Sequence, residues 1–329
     1  MKGIVVQKKD GEPRLTWRDV PDVEYGPEEV LVAVQATAVN RADLIQARGG
    51  YPPPPGASEL LGLEMAGIII ELGEAVEDWQ VGDRVCALLP GGGYAEKVAV
   101  PADMLLRLPD DWTFAMGTAV PEVWYTAFVN LFLEGDLQKG ETVLIHAGAS
   151  GVGTAAIQLA SSVGATVFVT ASHEDKLKRC QDLGATLAIN YKKHDFLEKV
   201  MVATDGNGVN LILDPVGGAY LERNVNALAK FGRLVNIGLL SGGQGKMDMS
   251  RVLRNRLCII GSTLRNRPPS EKIQITRQFE SGFWHLFKSG DLRPIIDKIF
   301  PIEEAQKAHA YVAQNQNIGK VILSVAGDQ

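Results

Sequence analysis

The sequence predicts an α/β protein in two parts, a β-rich domain and a doubly wound parallel sheet. Short strand-like runs punctuated by glycine and proline clusters fill the first ~120 residues. From Glu141 onward, apolar runs alternate regularly with helical patterns. A chain of 329 residues also has room for two domains of the usual ~100–200 residues.

In the first part, Val30–Val34, Gly67–Leu72, Arg84–Leu88 and Glu96–Val100 read as strands, divided by breakers such as Tyr51-Pro-Pro-Pro-Pro-Gly and Pro90-Gly-Gly-Gly. Many short strands at this spacing predict a barrel-like antiparallel domain. After Pro121 the texture changes. Thr142–His146 is followed by a helical Val152–Val163, and Thr166–Thr170 by Glu174–Leu183. The series continues through Leu187–Tyr191, Asp195–Ala203, Val209–Asp214, Tyr220–Ala229, Arg233–Gly238 and Cys258–Thr263. These strands are continuously apolar, as a parallel sheet covered by helices on both faces requires. From Pro268 the rhythm breaks into a long helix (Ser270–Ser289), a helix around Ile302–Val312 and a closing strand Val321–Val325. The tail is therefore expected to complete the first domain. That gives one domain over 1–120 completed by 266–329, and a second over 121–265.

Composition excludes several classes. With 46% hydrophobic and 22% charged residues the chain is ordinary globular protein. Its net charge of -6 repels phosphate backbones and anionic lipid, so neither nucleic acid nor membrane is expected as a partner. Cys86, Cys180 and Cys258 form no CxxC pair, which predicts small buried side chains in a reducing compartment. The first residues, MKGIVVQKKDGEP, hold no apolar signal core. No apolar run approaches the ~18 residues of a membrane span. A cytoplasmic location is the expectation.

The sharpest motif is His146-Ala-Gly-Ala-Ser-Gly-Val-Gly153, after a strand and opening a helix. Gly148, Gly151 and Gly153 allow a tight turn and close approach of a ligand. The N–H groups of the helix start, through Val152, suit a pyrophosphate. An NAD site usually carries an acid at the end of the second strand, about 20 residues on. Here Thr170-Ala-Ser172 has none, while Ser172 and Lys176 attract a 2′-phosphate and Tyr191 offers a hydroxyl. Glu174 and Asp175 pull the other way. Taken together the residues favour NADPH.

These residues, with several separate stretches, resemble the zinc-free quinone oxidoreductase branch of the medium-chain dehydrogenase/reductase superfamily, nearest in pattern to its p53-inducible type. The stretches are Val39-Asn-Arg-Ala-Asp-Leu44, Tyr51-Pro-Pro-Pro-Pro-Gly-Ala57, Leu61-Gly-Leu-Glu64, Leu89-Pro-Gly-Gly-Gly93, Leu144-Ile-His-Ala-Gly148, Ser150-Gly-Val-Gly-Thr-Ala155, Asn190-Tyr-Lys-Lys193 and Asn317-Ile-Gly-Lys320. The resemblance implies a GroES-like catalytic domain beside a Rossmann domain, a homodimer, and no catalytic zinc. Zinc-dependent relatives carry Cys and His where this chain has Asn40 and Leu63, and the third ligand position falls near Glu122. One carboxylate does not make the roughly three-ligand set a catalytic zinc needs.

The chemistry implied is hydride transfer from NADPH to an activated acceptor, a quinone first, with 2-alkenals and other enones as the alternative. A non-catalytic NADPH-binding protein is a third reading. The developing oxyanion needs a donor. Tyr51 is one candidate, against a tyrosine simply packed on prolines. Asn40 is the other, facing either substrate oxygen or the nicotinamide ribose. Thr126 matches a position near the nicotinamide, and Ser150 either touches the cofactor or serves the turn. By the same resemblance the cofactor contacts extend to Gly238, Leu239, Thr263, Leu264, Asn317 and Lys320. His146 and His309 read as structural. The group Arg251, Arg254, Arg256, Arg265 and Arg267 reads as a solvated or interface face.

Overall fold

The computed structural model describes residues 1–9 and 11–326. The chain forms two compact units, Met1–Tyr125 with Leu264–Gln329, and Thr126–Thr263. The first junction falls within a helix, Pro121–Phe128, where no linker composition marks it. The change of sequence texture places these junctions at 120/121 and 265/266.

The first unit begins with an antiparallel hairpin, β1 (Lys2–Lys9) and β2 (Glu12–Asp19). Then come β3 (Glu29–Val39), α1 (Arg41–Ala47), β4 (Glu64–Leu72), β5 (Arg84–Leu88), β6 (Lys97–Pro101), β7 (Leu105–Arg107), α2 (Phe114–Thr118) and α3 (Pro121–Phe128). In the second unit β8 (Thr142–Ile145), α4 (Gly151–Ser162), β9 (Thr166–Ala171), α5 (Glu174–Asp182), β10 (Leu187–Asn190), α6 (Phe196–Ala203) and β11 (Val209–Asp214) alternate. They are followed by α7 (Leu221–Ala227), β12 (Leu228–Asn236), α8 (Met249–Asn255) and β13 (Cys258–Gly261). The chain returns to the first unit as α9 (Pro269–Phe279), α10 (His285–Ser289), β14 (Ile296–Pro301), α11 (Ala305–Ala313) and β15 (Lys320–Ser324).

The seven-stranded sheet of the first unit runs β14-β15-β3-β4-β5-β7, with β6 also on β3. Strand β3, EVLVAVQATAV, is rich in β-branched residues and nearly all buried, as a strand with neighbours on both edges must be. Its end pairs antiparallel with the last strand, Val39 opposite Val321. Helical structure spans the expected 270–289 region, with a π turn at Glu280–Trp284 joining α9 to α10. There Phe279, Trp284 and Phe287 form an aromatic cluster with Trp112 and Trp124.

The second unit is a six-stranded parallel sheet in the order β10-β9-β8-β11-β12-β13, the doubly wound arrangement expected. Its winding reverses between β8 and β11, the crevice where such sheets bind ligands at strand C-termini. One element differs: the helix expected over 220–229 stops at Ala227, and β12 begins five residues before the expected Arg233. The register of β12 against β11 shifts over that stretch, where Phe231 takes φ 64°. A bulge of this kind hides the strand's alternation from sequence. Among the described residues no helix is long and apolar enough to cross a membrane.

Candidate functional site

In the second unit the glycine turn follows β8. A Cβ on Gly148 would meet Val169 Cβ at 2.8 Å, and one on Gly153 would meet Gly148 O at 2.4 Å, so the turn folds back on itself too tightly for side chains. Ser150 is the N-cap of α4, its Oγ accepting from Gly153 N at 3.0 Å. Its observed bond is thus a capping one. Gly151 and Val152 open the helix behind it, where helix geometry leaves N–H groups for a ligand. The turn is braced from within. His146 Nδ1 lies 3.0 Å from Thr170 Oγ1 and its Nε2 lies 2.8 Å from Asn224 Oδ1. Asn224 Nδ2 donates to Asp214 Oδ2 at 3.0 Å, and Asp214 Oδ1 accepts from Val216 N at 2.7 Å. Burial pushes the His146 imidazole down to about 4, so a neutral ring joins the ends of β8, β9 and β11. Gly238, after β12, sits with its Cβ position 2.9 Å from Pro215 O, and Leu239 is exposed.

At the end of β9, Ser172 Oγ lies 2.7 Å from His173 Nδ1, and His173 Nε2 lies 3.5 Å from Lys192 Nζ. Tyr191 is exposed beside Lys192, and Lys176 lies in the first turn of α5, half-buried. The acid that argued against a phosphate is turned to other work. Glu174 accepts from Lys193 at 2.8 Å and from Asn190 at 3.3 Å, contacts that hold its carboxyl below the usual range. His173 and Lys192 were missed in the sequence. Lys192 was visible as part of Asn190-Tyr-Lys-Lys193, but its meeting with His173 depends on the parallel pairing of Ala171 with Asn190.

The first unit holds a buried charged cluster. Lys320 Nζ donates to Glu64 Oε1 at 2.6 Å and to Asn40 Oδ1 at 2.7 Å, with both ion-pair side chains almost wholly buried. Asn40 Nδ2 donates to the same Glu64 oxygen at 2.8 Å, and Glu64 Oε2 accepts from Glu122 N at 2.8 Å. Asp43 accepts from Asn40 N at 2.7 Å, from Gly62 N at 3.2 Å and from Tyr94 OH at 3.3 Å. Tyr94 OH in turn lies 3.1 Å from His309 Nε2. Burial pushes the Asp43 carboxyl up to about 6. Burial, with the Glu64 carboxylate beside it, pushes Glu122 up to about 8.

Two of the expected site residues lie in this cluster. Lys320, expected at the cofactor, spends its buried ammonium on Glu64 and Asn40. Asn317 likewise donates to Gly319 O at 2.7 Å. Asn40, a candidate substrate donor, has its oxygen and one amide hydrogen bound within the cluster, and the other lies toward Ala38 O at 3.4 Å. The same geometry bears on zinc. A lysine ammonium sits against the Asn40 and Glu64 side chains, and Leu63 is a buried apolar residue. This donor set does not fit a catalytic zinc, and among the described residues no group of three His, Cys, Asp or Glu could hold a metal.

Tyr51 differs from Asn40. Its backbone is left-handed, φ 50°, an uncommon state for a non-glycine residue. Its hydroxyl makes no hydrogen bond among the described residues. Arg265 donates through Nη1 to Tyr51 O at 2.9 Å and through Nε to Pro90 O at 2.8 Å, and its guanidinium lies 5.4 Å from the Tyr51 ring centre. Burial, then Glu122, push the phenol above its ordinary range, and Arg265 pulls it down. The expectation of a solvated arginine group thus fails for Arg265, which is buried, and for Arg251, which binds the carbonyls of Val225, Asn226 and Leu228. Arg254 alone pairs loosely at the surface, Arg256 lies over Phe231, and Arg267 binds Glu271. Of the remaining candidates, Thr126 is half-buried and its carbonyl accepts from Asn130. Thr263 is exposed and Leu264 buried.

A seven-stranded, mainly antiparallel sheet in one unit and, in the other, a doubly wound sheet whose glycine turn opens a helix at the topological switch define a dinucleotide-binding oxidoreductase architecture. Known proteins agree. Residues 26–110 match the alcohol dehydrogenase GroES-like domain and residues 151–281 the zinc-binding dehydrogenase family. A 2-haloacrylate reductase of Burkholderia is 33% identical over 97% of each chain. The Pseudomonas syringae quinone oxidoreductase structure superposes with TM-score 0.87 at 27% identity, covering 98% of this chain and 99% of that one. The Escherichia coli quinone oxidoreductase solved with NADPH gives 0.88 at 25%, covering 99% and 100%. The chain belongs to the medium-chain dehydrogenase/reductase superfamily, among its quinone oxidoreductase-like members.

Proposed function

We propose that the chain is an NADPH-dependent, metal-independent reductase of conjugated carbonyls, with quinones the leading acceptors and Tyr51 the hydrogen-bond and proton donor. One observation carries the assignment of the donor: the Tyr51 hydroxyl is unpaired on a strained loop, while the Asn40 amide is consumed by Lys320 and Glu64. NADPH supplies the hydride when bound. The chain's own residues do the rest. The glycine turn and the start of α4 hold the pyrophosphate. Ser172, Lys176 and Tyr191, joined by His173 and Lys192, receive the 2′-phosphate, with Glu174 diverted to Lys193. Tyr51 delivers its proton to the oxygen on which charge develops, a donor worth up to about 2.7–4 kcal/mol at a transition state. The assay that tests this follows NADPH oxidation across ortho-quinones, para-quinones and enones, with and without a chelator. Tight NADPH binding with no turnover on any acceptor would leave a binding protein instead, and loss of activity on chelation would restore a metal.

The similarity to a 2-haloacrylate reductase favours a second reading, reduction of a conjugated double bond. The same assay separates the two by which panel turns over. The assembly we propose is a homodimer through the open edge of β13, where Cys258 and Ile259 are exposed, as are Met249 and Leu253 of the preceding α8. An unpaired apolar strand edge is a ready site for a second copy. A mass near 35.5 kDa by light scattering at micromolar concentration would refute it.

A further inference from the structure

Arg265 stands apart from the other arginines of the chain. It is 4% exposed, and among the described residues no carboxylate lies within ion-pair distance of it. Its Nη2 is buried with no hydrogen-bond partner. Arg233, by contrast, pairs with Glu141 at 2.7 Å through two nitrogens. A buried cation without a counter-ion is costly, because the water it lost is not replaced by an anion. The surroundings hold it there all the same. Two carbonyls fix Nε and Nη1, and Lys272, itself 5% exposed, donates to Arg265 O at 2.6 Å. The guanidinium is thereby fixed beside the Tyr51 ring. A pre-oriented charge of this kind is useful where negative charge appears only during the reaction.

We propose that Arg265 acts through Tyr51 as the counter-charge of the reduction, its fixed guanidinium stabilising the negative charge left on the Tyr51 oxygen when the hydroxyl proton passes to the acceptor. The inference rests on Tyr51 being the donor. In that step the Tyr51 O–H bond breaks and an O–H bond forms on the acceptor oxygen. The acceptor's two electrons arrive with the hydride on carbon, none with the proton, and water returns a proton to the phenolate afterwards. Arg265 changes no bond and is a positioning residue. The other charges felt at this place are Glu122, which opposes a phenolate, and Asp43 and Lys272 around the guanidinium.

A double-mutant cycle on kcat tests this, at saturating NADPH with one quinone that the wild-type chain reduces. Arg265→Gln is expected to lower kcat about tenfold or more when Tyr51 is present, and less than about twofold in a Tyr51→Phe background, since the two act as one unit. The NADPH dissociation constant should stay unchanged in both. Arg265→Lys keeps a cation in place but lacks the fork that reaches both carbonyls. It should lose less, and it carries the same cycle if the glutamine variant does not fold. Equal fold-losses in the two backgrounds, or an unchanged kcat in Arg265→Gln, would overturn the proposal. Tyr51→Phe alone separates the two ideas. Wild-type turnover there defeats the donor assignment and Arg265 with it, whereas a slow Tyr51→Phe with additive Arg265 losses removes Arg265 alone.

Discussion

The two units solve the burial of polar groups in opposite ways. In the second, His146, Thr170, Asn224 and the cap-bound Asp214 form a chain of hydrogen bonds in which the histidine is neutral and the one carboxylate is held by backbone N–H groups. In the first, Lys320 and Glu64 are a buried ion pair, and Asp43 and Glu122 crowd acids around it. A network with a neutral histidine and one well-bonded carboxylate costs less to bury once every member is bonded. A charged one is stable only while its pairing is complete. The first unit therefore has more to lose from a single substitution.

The largest effect expected is in the charged cluster. Lys320→Met should destabilise the protein by about 3–5 kcal/mol, read as a fall in the urea midpoint, because Glu64 is left buried and unpaired. Adding Glu64→Gln should recover part of that loss; a double variant worse than the single one would mean the pair is not the unit of stability. Cations of the proposed phosphate site should do the reverse. Lys176→Ala should weaken NADPH by the roughly 1.5–3 kcal/mol of a charged hydrogen bond, with NADH binding and the thermal midpoint nearly unmoved. Equal, small effects on both cofactors would deny it a phosphate role. In the neutral network, His146→Leu strands Asn224 and Thr170 and should cost about 1–3 kcal/mol. Because the native imidazole sits at about 4 against an ordinary 6.5, its contribution is full above 6.5 and lost as pH falls toward 4. His146→Leu should flatten that acid slope in part, leaving the similar share of His309, also held down to about 4 by burial. The smallest effect has the opposite sign. Glu122, raised to about 8 from an ordinary 4.5, contributes stability at low pH that is lost as pH rises through about 8. Glu122→Gln should gain on the wild type across that window, and parallel stability curves would mean the carboxyl is already ionised at neutral pH.

How much of this was legible follows from distance along the chain. The glycine turn is one contiguous motif, so its strand, turn and helix could be read directly. The missing acid after β9 was equally local. The partners of Lys320 lie 256 and 280 residues away, and a Lys in Asn317-Ile-Gly-Lys320 looks the same whether it meets a phosphate or a buried glutamate. Arg265 likewise reaches back 214 residues to Tyr51. Among clustered arginines nothing local distinguishes it, and only the fold separates a buried guanidinium from a solvated one. Glu174 reads locally as an obstacle to phosphate, and the lysine that pairs with it lies in the turn after the next strand.

The pairing of Val39 with Val321 also sets an order of events during synthesis. Residues 126–263 are contiguous, so the parallel sheet has its whole sequence as soon as β13 leaves the ribosome. The other sheet must wait. Until β15 arrives, the end of β3 from Ala36 to Val39 has an open edge and Glu64 lacks the cation that neutralises it. Nascent chains generally fold domain by domain, with incomplete ones exposing strand edges to aggregation. A stalled chain ending before Lys320 would thus present one finished domain and one unfinished sheet, a species that a chaperone or a protease can tell from the mature fold.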